Sequence, residues 1–254
     1  MKTSTSLISK LVSLLSILLL AFVIYLVSNS KQDAQLYPTL DQIFSSIYLN
    51  VSSGKTILAF LNTILRVIIV LFVSFLSALL ISFLYYYSRY TLDFIKPLLT
   101  IMKAAPLAAI SVYIFMTVKG KLGTPLRPYL ITYLVTLPIT VEGFISAIDD
   151  ISPSILCELR ITQGPKYLKF NKIYFPLMRR HIILTLLQTI GLSFKVMIMA
   201  EYLCQTKNSV GIIIYDSFTI LNMSNLIAVI IEVVIIVIIG EAIIKQLKKK
   251  LIND

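Results

Sequence analysis

Histidine, cysteine and charge are all scarce in this chain, and each scarcity removes a class of function. Of its 254 residues 14% are charged and 57% hydrophobic, against about 25% and 45–50% in an average soluble domain. So many apolar side chains would overfill one soluble core, but they suit a chain solvated by lipid. His181 is the only histidine, which leaves no histidine pair for a zinc site. Beside Arg179 and Arg180 it reads as a solvated or snorkelling side chain at a membrane interface. Cys157 and Cys204, the only cysteines, lack metal-ligand spacing. The topology below places them on opposite sides of the bilayer, out of reach of a disulfide. No metal or bound cofactor is expected.

Two catalytic motifs fail on inspection. Gly54-Lys55-Thr56 ends like a phosphate-binding loop, but the glycine required five residues earlier is Leu49. Gly191-Leu192-Ser193 continues with Phe194 and Lys195, so the hydrolase elbow lacks its closing glycine. The chain is therefore read as a non-enzyme without a nucleotide site of its own. Its net charge of +11 would suggest nucleic acid in a soluble protein. Here the Lys and Arg residues sit mostly between apolar runs, so topology explains them and no nucleic-acid partner is expected.

A span needs about 20 mainly apolar residues. Six stretches qualify: 7–27, 57–87, 97–118, 126–148, 181–203 and 225–244. Backbone groups in lipid must bond internally, so the fold class is all-α membrane with about six transmembrane helices. The second stretch is over-long, with Tyr85, Tyr86, Tyr87 and Tyr90 as an aromatic belt at one surface. Residues 7–27 read as a retained span rather than a cleaved signal, because no small-residue cleavage site follows. Arg89, Lys96, Arg160, Lys166, Lys169, Lys172, Arg179, Arg180 and the Lys245–Lys250 cluster fall on one side. Lys31, Lys55, Lys119, Lys121, Arg127 and Lys207 fall on the other. The positive-inside rule then puts both termini in the cytoplasm. Residues 28–55 form an external loop, in which Leu40, Phe44, Ile47, Tyr48 and Val51 have helical spacing suited to the outer surface. The expected division is 1–56, first helix and external loop, then 57–254, the remaining membrane domain.

The longest cytoplasmic stretch, 149–180, carries its own punctuation. Ser152 is a good N-cap, Pro153 fits the first helical position, and Asp149 and Asp150 suit the helix dipole. Gly164 and Pro165 should stop that helix. A second short helix should follow, with Tyr167, Phe170 and Ile173 or Tyr174 on one face, and Pro176 should mark the turn into the next span. Two short amphipathic helices over about 153–175 would make a lever able to set an apolar ridge into a partner's groove. A linker lying on anionic lipid is the other physical reading.

Arg66, Lys103, Glu142, Lys195, Glu201 and Glu232 fall within or near spans. A charge at mid-bilayer costs at least roughly 2.5–3.5 kcal/mol on insertion scales. Arg66, Lys103 and Lys195 are near enough to span ends to snorkel. Glu142 and Glu201 approach opposite ends of their helices, whereas Glu232 is deeper and needs a partner. Arg66, Pro106, Glu142 and Glu201 are the candidates for a translocation pathway or gate, with Glu201 preferred. Pro106 and Pro138 free backbone carbonyls that only protein or water can satisfy at depth.

From Cys157 onward the chain resembles the permeases of binding-protein-dependent ABC importers. Glu158-Leu159-Arg160, Gly164 and Ile173-Tyr174-Phe175-Pro176 correspond to that family's Glu-Ala-Ala motif, its glycine and its Ile-x-Leu-Pro-like ending. Both alanines are replaced, and the glycine-to-proline spacing is about one residue shorter. The likeness covers roughly 60–245 and is nearest the nitrate, sulfonate and taurine branch. Asn62-Thr63-Ile64-Leu65-Arg66-Val67, Lys96-Pro97-Leu98-Leu99, Ala105-Pro106-Leu107-Ala108, Ala200-Glu201 and Gly211-Ile212 follow in the branch's order.

The resemblance implies ATPase coupling through Glu158, Leu159, Arg160, Gly164, Pro165, Tyr167, Phe170 and Pro176. It implies separate ATP-binding cassette subunits holding ATP and Mg, and a second permease copy or a homologue. It also implies an extracellular binding protein or lipoprotein delivering a small anion, sulfonate or vitamin precursor across a bacterial cytoplasmic membrane. The competing class is an ion-gradient-driven transporter or channel using the intramembrane carboxylates.

Overall fold

The computed structural model describes residues 38–253 apart from 122, 153 and 156–163; the side chains of 124, 244, 245 and 247–253 are likewise outside the description. The expected first span at 7–27 lies outside the described residues, as do Glu158, Leu159 and Arg160. Among the described residues every regular element is helical.

Helix α1 (Leu40–Ser52) begins at a capping box. Thr39 Oγ1 accepts from the Gln42 N–H at 3.4 Å, and the Gln42 side chain accepts from the Thr39 N–H at 3.0 Å. Leu40, Phe44, Tyr48 and Val51 stay exposed along one face, while Ile43 and Asn50 turn inward. Helix α2 (Gly54–Tyr87) has 34 residues, about 51 Å at 1.5 Å per residue. Its length exceeds a bilayer core of about 30 Å, as an over-long second span requires. It buries Ala59, Thr63, Val67, Val70, Ser74, Ala78, Ser82 and Tyr85, a stripe at three- and four-residue steps made largely of small side chains. Small residues let helix backbones approach closely where lipid offers no hydrophobic drive for association.

The expected third span, 97–118, is broken. Helices α3 (Tyr90–Ala104) and α4 (Leu107–Thr117) meet at 97°. Ala105 is extended at ψ 130, the conformation a following proline enforces, and Pro106 has no N–H to continue the ladder. The pair forms a broken span or a re-entrant loop; four other described helices are long and apolar enough to cross a membrane.

Helix α5 (Gly123–Asp149) and helix α6 (Lys166–Cys204) form the centre of the bundle. Gly143 makes their contact possible, because a Cβ there would lie 2.2 Å from Thr185 Oγ1. Thr136, Thr140, Thr185 and Thr189 satisfy their hydroxyls on carbonyls four residues back, at 2.8–3.1 Å. Polar side chains can therefore line the core without orphan groups.

Pro176 does not turn the chain, contrary to the expectation of a separate short helix before the fifth span. From Lys166 the chain is helical without interruption to Cys204, through a π-turn at Phe170–Tyr174. The wider π-turn just before Pro176 shifts the carbonyls that the proline ring would otherwise strike. Helix α7 (Val210–Thr219) is capped by Ser209, whose hydroxyl accepts from Ile212 N–H at 3.2 Å. Helix α8 (Met223–Asn253) packs on α6, α7 and α1.

Candidate functional site

Two regions hold the residues singled out by the sequence: the end of the bundle that carries Gly164–Pro176, and a set of charges inside it. At that end Gly164 takes φ +138 and Pro165 is the N-cap residue of α6; the end of the helix that this pair is expected to stop lies outside the described residues. Pro165 O accepts from the Leu168 and Lys169 N–H groups at 3.1 and 3.3 Å. Phe170, expected on a free apolar ridge, is 5% exposed. It packs edge-on against Phe83 at 5.0 Å, and Tyr174 meets Tyr86 at 4.5 Å. These rings, worth about 0.5–1.5 kcal/mol per pair beyond their area, fix α6 to α2. Tyr167 is 56% exposed, and Gly164, Pro165, Leu168, Lys172 and Pro176 are also exposed. The surface this end offers is thus Tyr167 and Leu168 framed by lysines, on a helix held rigidly from behind.

A polar knot missed in the sequence braces the same end. Asp149, last residue of α5, accepts from Tyr85 at 2.9 Å and from Arg89 at 2.5 Å. Arg89 also bonds the Tyr85 hydroxyl and lies over its ring. The hydrogen bond to Asp149 raises the Arg89 pKa above its already high ordinary value, so the guanidinium stays charged. His181 Nδ1 lies 3.6 Å from Asp150 Oδ2. Local signals had assigned Asp149 to a helix dipole and Arg89 to a positive flank; sixty residues of separation hid their pairing.

At the other end Glu201 is fully buried and fully engaged. Its carboxylate accepts from Arg66 Nη1 at 2.6 Å, Thr63 Oγ1 at 2.9 and 3.1 Å, and Gly211 N at 3.3 Å. Arg66 Nη2 donates to Lys207 O at 3.3 Å, and Val210 N donates to Thr63 Oγ1 at 3.1 Å. Gly211 is obligatory here, since a Cβ would stand 2.4 Å from both Glu201 Cβ and Tyr202 N. Four bonds to one carboxylate tie α2, α6 and α7 together, the condition under which a buried charge is tolerated.

Lys103 and Glu142 form a second pair at 2.6 Å. It lies just before the Pro106 break and is half-exposed. Arg66 and Lys103, expected to snorkel, are therefore both ion-paired. Glu232 keeps two buried carboxyl oxygens without a geometric hydrogen bond, with Asn50 of α1 the polar group facing it. Asn50 itself donates to Asn225, which donates to Ser217 at 2.8 Å.

A bent helix pair, a tightly packed helix pair and a buried ion pair, on helices long and apolar enough to cross a bilayer, are the features of a polytopic membrane protein. The profile of the family described as "binding-protein-dependent transport system inner membrane component" matches residues 71–253, and the chain belongs to that family. It is thus the transmembrane permease component of an ABC importer, in a class without an ATPase site of its own. The fold is similar to that of the MetNI methionine ABC transporter in an inward-facing form, at 14% identity and a TM-score of 0.65, covering 78% of this chain and 99% of that one. It is also similar to a chain of a bacterial alginate ABC transporter, solved with its alginate pentasaccharide-bound periplasmic protein, at 16% identity and a TM-score of 0.60, covering 94% and 93%. No curated protein sequence matches the chain.

Proposed function

We propose that this chain forms half of the translocation pathway of an ATP-driven importer and takes its drive at the Lys166–Pro176 end. That end would face the cytoplasm, with both termini on the same side, and would dock an ATP-binding cassette subunit that holds ATP and Mg. A second permease copy or a homologue would complete the pathway. An extracellular binding protein or lipoprotein would deliver a small solute to the opposite face.

The observation that carries this reading is the continuity of α6. One helix runs from the exposed Tyr167–Leu168 surface to the Glu201 knot. Displacement at one end reaches the other through a rigid rod braced by Phe83, Tyr86 and Asp149. Glu201 would carry the motion of α6 to α2 and α7. Opening would occur where Lys103 and Glu142 meet beside Pro106. A gradient-driven transporter would need exchangeable carboxylates; Glu201 is held by Arg66, Thr63 and Gly211 and Glu142 is ion-paired, which leaves Glu232 as the carboxylate such a reading would have to use.

Cross-linking tests the orientation and the docking together. Cysteine at Tyr167 or at Lys207, with a bifunctional thiol reagent in native membranes, samples the two ends. Tyr167→Cys should yield an adduct with an ATP-binding cassette subunit, and Lys207→Cys should not. An adduct from Lys207→Cys alone would overturn the orientation.

A further inference from the structure

Glu201, Glu142 and Asp149 each hold a cation; Glu232 of α8 does not. Both of its carboxyl oxygens are shut off from solvent, and neither has a hydrogen bond among the described residues. Ala228 and Val229, one turn before it on the same face, are fully buried. This face meets α1, whose inward residues include Ile43 and Asn50, and Asn50 is the polar group that faces Glu232. No charged group among the described residues reaches it from the surrounding elements. Asp41, the one charged residue of α1, is exposed, as are Asp216 of α7 and Lys55 of α2. Tyr48 of α1 is exposed, and Tyr215 of α7 packs on Tyr202. On α6, Glu201 is taken by Arg66 of α2, His181 lies at the far end beside Asp150, and Lys195 borders a groove along the other face of α8, from which Glu232 is absent.

A buried carboxylate with neither counter-charge nor donors is among the costliest groups a protein can hold, and such a group takes up a proton instead. As an acid it needs one acceptor. Asn50 Oδ1 accepts no hydrogen bond among the described residues, while Asn50 Nδ2 donates to Asn225 Oδ1 at 2.9 Å. Asn225 Nδ2 donates in turn to Ser217 Oγ at 2.8 Å, and Ser217 Oγ to Ile213 O at 2.7 Å. A Glu232 O–H donating to Asn50 Oδ1 heads this relay, which then joins α1, α8 and α7 through neutral groups alone. A carboxylate only accepts and cannot fill that place. We propose that Glu232 is a proton-binding site, and that α1 seats on α8 with uptake of one proton from water onto a Glu232 oxygen. Unseating α1 opens the carboxyl to water, where it ionises and returns the proton. The seated form holds more protons, so raising the pH loosens α1 and lowering it seats α1. Neither the pathway nor the docking surface assigned above includes α1, so this inference stands apart from that reading.

The proton is read directly by difference infrared spectroscopy of the full-length protein in detergent at neutral pH. Subtracting the Glu232→Gln spectrum from that of the unaltered chain should leave the carbonyl band of one un-ionised carboxyl group, shifted in heavy water. Carboxylate bands in its place overturn the proposal. Glu232→Met serves if the glutamine variant fails to fold, with the same expected band. Glutamine mimics the neutral acid, so the unfolding midpoint of Glu232→Gln at neutral pH should stay within about 2–4 °C of the unaltered value. A larger fall means that a cation has been stranded, and overturns the proposal.

Seating is read by the distance between spin labels on Tyr48→Cys of α1 and Ile239→Cys of α8, both exposed positions, in a full-length chain that also carries Cys157→Ser and Cys204→Ala. The pH is raised from about 5 to about 9, a window that brackets ionisation of ordinary and buried glutamates. The distance distribution should shift and broaden at the alkaline end. With Glu232→Gln added, it should keep its acid form throughout. A distance independent of pH in the labelled chain, or the same shift after Glu232→Gln, overturns the link between the proton and α1.

Discussion

Arg66–Glu201 and Lys103–Glu142 have the same separation, 2.6 Å, and different surroundings. The side chains of the first pair are 15% and 0% exposed, those of the second 43% and 49%. Glu201 accepts from Arg66 and Thr63 of α2 and from Gly211 of α7, whereas Glu142 has the single lysine beside the bend at Pro106. Distance alone does not distinguish a tie from a latch. Desolvation does: breaking a buried pair strands a charge, while breaking an accessible one lets water replace the partner.

The largest effect should therefore come from Glu201. Glu201→Gln leaves Arg66 without its counter-charge and should cost about 3–5 kcal/mol, read as a large fall in the thermal unfolding midpoint in detergent. Arg66→Met/Glu201→Gln should recover part of that loss, because removing both partners leaves no stranded charge. Normal stability, uptake and transport-coupled ATP hydrolysis in Glu201→Gln would end both the tie and the gate assignments of this residue.

A smaller stability effect is expected at the other pair. Glu142→Gln should cost no more than about 1 kcal/mol and leave the unfolding midpoint nearly unchanged. The rate of transport-coupled ATP hydrolysis should nonetheless shift severalfold, since the pair fastens α3 to α5 at the bend. A stability loss equal to that of Glu201→Gln, without a rate change, would erase the distinction between tie and latch.

The sequence reads well where one local rule acts alone. Apolar runs mark α2, α5, α6 and α8, and Gly164, at positive φ, precedes Pro165 at the start of α6. It reads less well where two local rules compete. Pro106 breaks a span, whereas Pro176, like Pro97, Pro128 and Pro138, stays within a helix, in its case beside a π-turn at Phe170–Tyr174 that makes room for the ring. That accommodation depends on Phe83 and Tyr86 receiving Phe170 and Tyr174 from another helix, which no local pattern carries. The ion pairs were hidden for the same reason. Each charge was visible and its partner was not, because Arg66 and Glu201, like Lys103 and Glu142, meet only when α2, α3, α5 and α6 pack. Snorkelling suits a cation viewed alone; Arg66 and Lys103 each meet a carboxylate from another helix instead.

The decisive measurement is the ATP hydrolysis that co-purifies with the full-length chain from native membranes, per mole of chain, for the unaltered protein and for Tyr167→Asp/Leu168→Asp. Docking at the exposed start of α6 predicts an ATP-hydrolysing subunit with the unaltered chain, lost in the double variant while the unfolding midpoint is unchanged. Equal hydrolysis in both preparations, or none with the unaltered chain, would contradict it.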